Sequence, residues 1–222
     1  CRPLGLRTPT AAAGADLLVR EGVATPEVAL EAARAAQSHI GLARALARDP
    51  QMRERRRAII TAPASVRSVG EAVMAADRLL ETAKAQADAQ VSERNAREKA
   101  ELMRQLGMDE GESATKASRT MIRQLEEDQK RRSKRALTDA IDRALIDLLA
   151  IYRDVLMVQV GGDGELINTD LADLVREIAQ DSTPRQTLAR VDHIETARKR
   201  LVSNGNPLLV LEDMAISLRP QA

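Results

Sequence analysis

Residues 136–160, ALTDAIDRALIDLLAIYRDVLMVQV, are the stretch whose reading decides the fold. Wound as a helix, they place Leu137, Ile141, Ala144, Leu148, Ile151 and Val155 at alternating steps of four and three, on a single stripe. Leu145, Leu149, Tyr152 and Leu156 form a second stripe beside it, and Tyr152 is the only aromatic residue of the chain. Two adjacent stripes are too wide for one partner helix, so several helices are expected to pack around this one. Gly161 and Gly162 then end it by supplying backbone freedom.

Working outward, residues 69–160 read as two long helices joined near 107–115, past Gly107 and the acidic turn DEGE at 109–112. The first carries Val69, Val73, Ala76, Leu80, Ala83 and Ala87 on one face. From about 92 to 135 the apolar spacing lapses and charge takes over, returning only at Leu102, Met103, Leu106, Met121, Ile122 and Leu125. Such a pair is expected to be a hairpin with a buried base and a solvated arm reaching roughly 30 Å.

Helix starts are marked by a capping residue followed by Pro at Thr8-Pro9, Thr25-Pro26, Asp49-Pro50, Thr183-Pro184 and Asn206-Pro207. Ser68 with Glu71 and Thr183 with Gln186 have capping-box spacing. These signals predict short helices at about 10–20, 26–37, 40–48 and 50–60, a linker at 61–67, and three further helices at about 169–180, 184–203 and 206–218. The class is all-α, with a small helical domain at 1–62 and a five-helix domain at 66–222.

Composition agrees. Of 222 residues 44% are apolar, with no Phe or Trp, so Leu, Ile, Val, Ala and Met must build the core. Basic and acidic residues nearly cancel (34 and 33), which gives no overall signature of a nucleic-acid or anionic-membrane binder. The single Cys excludes an internal disulfide and suits a reducing cytoplasm. No secretory signal is visible, and a chain that opens on Cys1 is expected to be part of something longer.

No phosphate loop, HExxH or nucleophile elbow occurs, and no carboxylate pair comes with a second catalytic group. The expectation is therefore a non-enzyme with no catalytic residue, cofactor or metal site. The run GGDG at 161–164 lacks the Lys of a phosphate site and the spacing of a calcium loop, and reads as a helix stop. His39 and His193 have no ligand-spaced partner and read as cap or surface residues. The basic run Lys130–Arg135 follows Glu126, Glu127 and Asp128 and reads as a solvated, charge-paired helix face before it reads as a phosphate-contacting patch.

Two stretches then resemble a known family. RKRLVSNGNPLLVLEDMAISL (198–218) is similar to the closing motif of bacterial clamp-loader subunits, at Leu201, Asn204, Asn206, Pro207, Leu209, Leu211 and Glu212. YRDVLMVQVGGDGELINTDL (152–171) resembles another segment of that family, at Arg153, Asp154, Leu156, Asn168 and Asp170. Cys1 to Leu4 resembles the end of a Ser-Arg-Cys motif, and Ser38 to Leu46 the sensor-2 segment of an AAA+ lid, with Ala43 where ATP-binding paralogues carry Arg and Arg44 one place later. The similarity is strongest to delta-prime subunits of DNA polymerase III, of the Ala/Arg-rich actinobacterial type.

The resemblance implies a lid (1–62) and a collar (66–222) with the charged arm at about 92–135. It also implies oligomerisation with the delta and gamma/tau subunits, and contact with the sliding clamp and primer-template DNA through the whole complex. Location would be cytoplasmic, with no membrane partner. Two other readings stay open: a gamma/tau ATPase paralogue, which a Walker motif upstream would reveal, and an unrelated helical nucleic-acid-binding scaffold using Lys130–Arg135, which strongly salt-dependent DNA affinity would reveal.

Overall fold

The computed structural model describes residues 8–107 and 116–219. Among them all regular structure is helical: α1 (Ala11–Arg20), α2 (Pro26–Ala35), α3 (Ile40–Arg48), α4 (Pro50–Ser65), α5 (Val69–Gln105), α6 (Lys116–Gln159), α7 (Ala172–Gln180), α8 (Pro184–Val202) and α9 (Pro207–Leu218). A short 3₁₀ turn, Thr169–Leu171, leads into α7. The chain is all-α, as its periodicity predicts. Residues Cys1 to Leu4 and the DEGE turn at 109–112 lie outside the described residues.

Side chains that the spacing singles out as caps do cap. Asp49 accepts from the Gln51 amide (2.9 Å), and Asn206 from the Leu208 and Leu209 amides. Ser68 with Glu71, and Thr183 with Gln186, close complete capping boxes that satisfy amides the first turn leaves without helical partners. Thr8-Pro9 is the exception. Thr10 caps α1 instead, while the Pro9 carbonyl accepts the Ser38 hydroxyl at 2.8 Å. Glycines at left-handed φ follow three helices, at Gly22 (φ +67°), Gly107 (φ +61°) and Gly161 (φ +66°).

The principal core forms around α6. Ile141, Leu145, Leu148, Ile151, Tyr152 and Val155 are buried against residues of α4, α5, α7, α8 and α9, including Ile60, Leu80, Val175, Ile194 and Leu211. Both stripes are therefore used, by different neighbours. On α5 the buried face starts one turn later than the spacing predicts: Val69 is 48% exposed, and Ala72, Ala76, Leu80, Ala83, Ala87 and Val91 face inward. Val69, the first helical residue, has no turn before it to help enclose its side chain.

A smaller core of Ala29, Ala32, Ala33, Ala43, Leu18 and Leu46 joins α1, α2 and α3. The linker predicted at 61–67 is helical as far as Ser65. Ile59 and Ile60 pack on the principal core and hold this end of α4 in place, while Met52 at its other end packs on the smaller core. Pro63 falls in the last turn, and Arg67 donates to the Ala64 and Val66 carbonyls beyond it.

At 37 and 44 residues, α5 and α6 each run on without interruption past the core. A third small cluster of Ala87, Val91 and Ala136 closes the base of the arm. Farther out the two helices are joined by polar groups. Arg132 donates to both Glu98 oxygens (2.8 and 3.1 Å) and to Asn95 Oδ1 (2.7 Å), and Gln129 Nε2 donates to the Asn95 carbonyl (2.9 Å). Leu102, Leu106, Ile122 and Leu125 are half-buried and take no part in the principal core. With Arg94 also donating to it, Glu98 is held at about 2 against an ordinary 4.5.

Leu148 is 1% exposed at the centre of the principal core. Leu148→Asp is expected to abolish the cooperative melt of this core, because an unpaired buried carboxylate costs several kcal/mol. Circular dichroism on heating checks it, and a retained sharp transition contradicts it.

The Glu98 carboxyl is depressed in the folded chain, so its contribution is present above the ordinary value of 4.5 and is lost as pH falls toward 2. Acid titration followed by carboxyl-carbon NMR should place its midpoint well below those of Glu126 and Glu127. Arg132→Ala should return it toward the ordinary value.

Candidate functional site

The stretches that resemble the clamp-loader family converge on two structural devices. The first is a buried polar network that fixes the connection between α6 and α7. Asp147 and Asp154 lie seven residues apart on α6, both within its buried face. Asp154, 0% exposed, accepts from the Asn168 amide (2.8 Å), Asn168 Nδ2 (2.9 Å), the Ile167 amide (3.0 Å) and Arg153 Nη1 (2.8 Å). The free oxygen of the Asn168 side chain accepts from Arg56 Nη2 at 2.6 Å. Arg56 Nε donates to Asp147 (3.1 Å), which also accepts from Arg143 (2.6 Å). Arg143 reaches the Ala35 carbonyl at 3.5 Å, so the network touches the end of α2.

Each buried charge thus has several hydrogen-bonding partners, the condition under which it is tolerated inside a protein. Exposed pairs extend the arrangement: Asp170 with Arg57 at 3.0 Å, and Glu165 with Arg34 at 3.2 Å. Of the residues read in this segment, Arg153, Asp154, Asn168 and Asp170 all have hydrogen-bonding or ionic roles, and Leu156 is half-buried. Arg56 and Asp147 are essential members that the sequence reading missed. Arg143 and Asp147, four apart on one helix, were the signal available.

The second device is the turn between α8 and α9. Asn204 takes a left-handed backbone (φ +61°), and Asn206 caps α9 just before Pro207. Gly205 leaves no room for a side chain, since a Cβ there would lie 2.8 Å from the Arg200 carbonyl oxygen. Lys134, at the base of the arm, donates to Asn204 Oδ1 at 3.1 Å. Leu201 and Glu212 are half-buried and Leu211 is fully buried. By contrast, Leu209 is 63% exposed and Val202, just before the turn, 78%. These two present apolar surface beside a rigid turn.

Elsewhere Ala43 is 1% exposed in the smaller core, and Arg44 makes a two-bond pair with Glu21 at 2.7 and 2.8 Å. His39 caps α3 by accepting from the Leu42 amide, and His193 is exposed. In the basic run, Arg131 pairs with Asp128, Arg132 with Glu98, and Lys134 with Asn204. Gly161 ends α6, and Gly162 and Gly164 crowd the Met157 side chain. Among the described residues no three His, Cys, Asp or Glu side chains gather in a metal-binding arrangement, and no helix is long and apolar enough to cross a membrane.

Asp154→Ala should destabilise the chain by about 3 kcal/mol, because it leaves buried donors at 167 and 168 without an acceptor. Arg153→Ala, which removes an exposed partner, should cost no more than about 1 kcal/mol. Urea unfolding of both variants checks the ranking, and equal losses would place the strength of the network in the ion pair instead.

Residues 113–219, the span that contains α6 to α9, match the family model described as DNA polymerase III, delta subunit, C terminal. The chain is also 36% identical over 72 residues to DNA polymerase III subunit delta' of Bacillus subtilis (strain 168), an alignment covering 32% of this chain and 22% of that protein. It thus spans about a fifth of the length of the curated relative it matches. No solved structure matches it. Over residues 113–219 this chain belongs to the family formed by the C-terminal domains of DNA polymerase III delta subunits, on the delta-prime side that its motifs resemble.

Proposed function

We propose that this chain is the C-terminal part of a bacterial clamp-loader delta-prime subunit that acts by assembly and has no catalytic step of its own. Residues 1–62 serve as the helical lid of an AAA+ module and 66–222 as the collar. The collar joins the corresponding domains of the delta and gamma/tau subunits in the cytoplasm. The assembled complex opens the sliding clamp and places it on primer-template DNA. The observation that carries this reading is the family match over 113–219, the span that builds α6 to α9.

The geometry gives the reading a definite surface. A domain whose core is closed by α4, α5, α7, α8 and α9 around α6 still leaves Val202 and Leu209 exposed beside a turn that Asn204, Gly205 and Asn206 hold rigid. Apolar groups fixed on a rigid element are suited to the centre of an interface between proteins, because little ordering is needed on association. The arm, paired within itself by charge and carrying no residue of the principal core, is an accessory protrusion in this scheme and not part of ring closure.

Co-expression with delta and gamma/tau, followed by size-exclusion chromatography with light scattering, tests the reading. The chain is expected to co-migrate with them. The variant carrying Val202→Glu and Leu209→Glu should keep its melting temperature, since surface changes are worth about 0.5 kcal/mol or less, and should lose co-migration. A wild-type chain that never enters the complex would overturn the proposal.

A further inference from the structure

On α8, Thr187, Arg190, Ile194 and Ala197 follow one another at steps of three and four and face inward. A guanidinium therefore stands on an otherwise uncharged stripe. Arg190 is only 8% exposed and lies over the Tyr152 ring, 5.8 Å from its centre. Among the described residues no protein group accepts a hydrogen bond from Arg190, and the Tyr152 hydroxyl has no protein partner either. Burial pushes the phenol up to about 12, so it keeps its proton and remains a donor.

Both side chains line one cavity of about 220 Å³. Arg67 also borders it, but its guanidinium is taken by the Ala64 and Val66 carbonyls. Glu177 and Asp181, both exposed, stand at its edge. Pro63 and Leu218 form part of its wall and also part of the wall of a neighbouring cleft of about 230 Å³, which is lined by Ile59, Leu79 and Met214 and bordered by Arg78. A donor-lined cavity and an apolar cleft are thus continuous.

We propose that this cavity receives a carboxylate side chain from a partner protein, held by Arg190 and Tyr152, while the aliphatic residues flanking that carboxylate occupy the apolar cleft. A guanidinium presents paired donors in the plane a carboxylate needs, and in a partly enclosed site that pairing is strong and directional. Glu177 and Asp181 select against phosphate dianions and nucleic acid, whose higher charge they repel more than that of a single carboxylate. The cleft beside the cavity has no use for a free small anion but matches Leu-like side chains on a peptide. This inference concerns a site separate from Val202 and Leu209 and stands independently of the assembly proposed above.

Fluorescence anisotropy with the full chain and two labelled, end-blocked peptides, Ala-Leu-Glu-Leu-Ala and its Gln counterpart, tests it. The Glu peptide should bind saturably and about thirtyfold more tightly than the Gln peptide. Arg190→Met should remove that preference while melting no lower than wild type, since it deletes a buried cation that has no protein acceptor. The double variant Glu177→Gln, Asp181→Asn leaves Arg190 in place and should tighten the Glu peptide several-fold without altering the Gln peptide. Equal affinity for the two peptides, no binding of either, a preference that survives Arg190→Met, or an unchanged double variant would each overturn the proposal. Acetate competing at the same concentration as the Glu peptide would also overturn it, by assigning the cavity to a free carboxylate.

Discussion

Two carboxylates on the buried face of one helix constrain much of this structure. Asp147 and Asp154 lie among the residues by which α6 builds the principal core, and each is tolerated there only because donors are brought to it. Asp154 draws in the backbone at Ile167 and Asn168, which fixes how the chain leaves α6 and where α7 begins. Asp147 draws in Arg56, which fixes α4 against α6. Asn168 is shared by both halves, accepting from Arg56 while donating to Asp154. The path of the chain before and after α6 is therefore set by polar satisfaction as well as by apolar burial.

The same logic separates the body from the arm. Near the base, Ala87, Val91 and Ala136 let α5 and α6 approach closely, and farther out the contact is maintained by Arg132, Glu98 and Asn95. A bidentate guanidinium–carboxylate pair defines the register between two helices better than scattered aliphatic contacts do. It is also solvated, so it orders the arm without adding to the core. The alanine-rich smaller core around α2 shows a different economy, in which small side chains allow short helices to pack closely.

The family to which residues 113–219 belong makes sense of which features carry assembly and which carry stability. The Asp154–Asn168 network and the Asn204–Asn206 turn are internal scaffolding, and the apolar surface beside that turn is what the scaffolding displays. Arg190 departs from this pattern. It is buried like a structural residue, yet no internal acceptor uses it.

The sequence by itself determined the class and nearly every helix. Period and caps place α3 at 40–48 and α9 close to 206–218, because these are local matters of hydrogen bonding and burial. It also located the stripe on α6, whose spacing is legible without a partner. The continuation of α4 through Ser65 was decided by tertiary packing of Ile59 and Ile60 against helices remote in sequence. Likewise Asp154 and Asn168 could be read as a resemblance but not as a contact, since the bond between them spans 14 residues of loop and helix end. Arg56 with Asp147, 91 residues apart, and Arg190 over Tyr152 gave no sign of pairing in the sequence. Distance along the chain carries no information about such pairs; only the packing of α4, α6 and α8 brings them together.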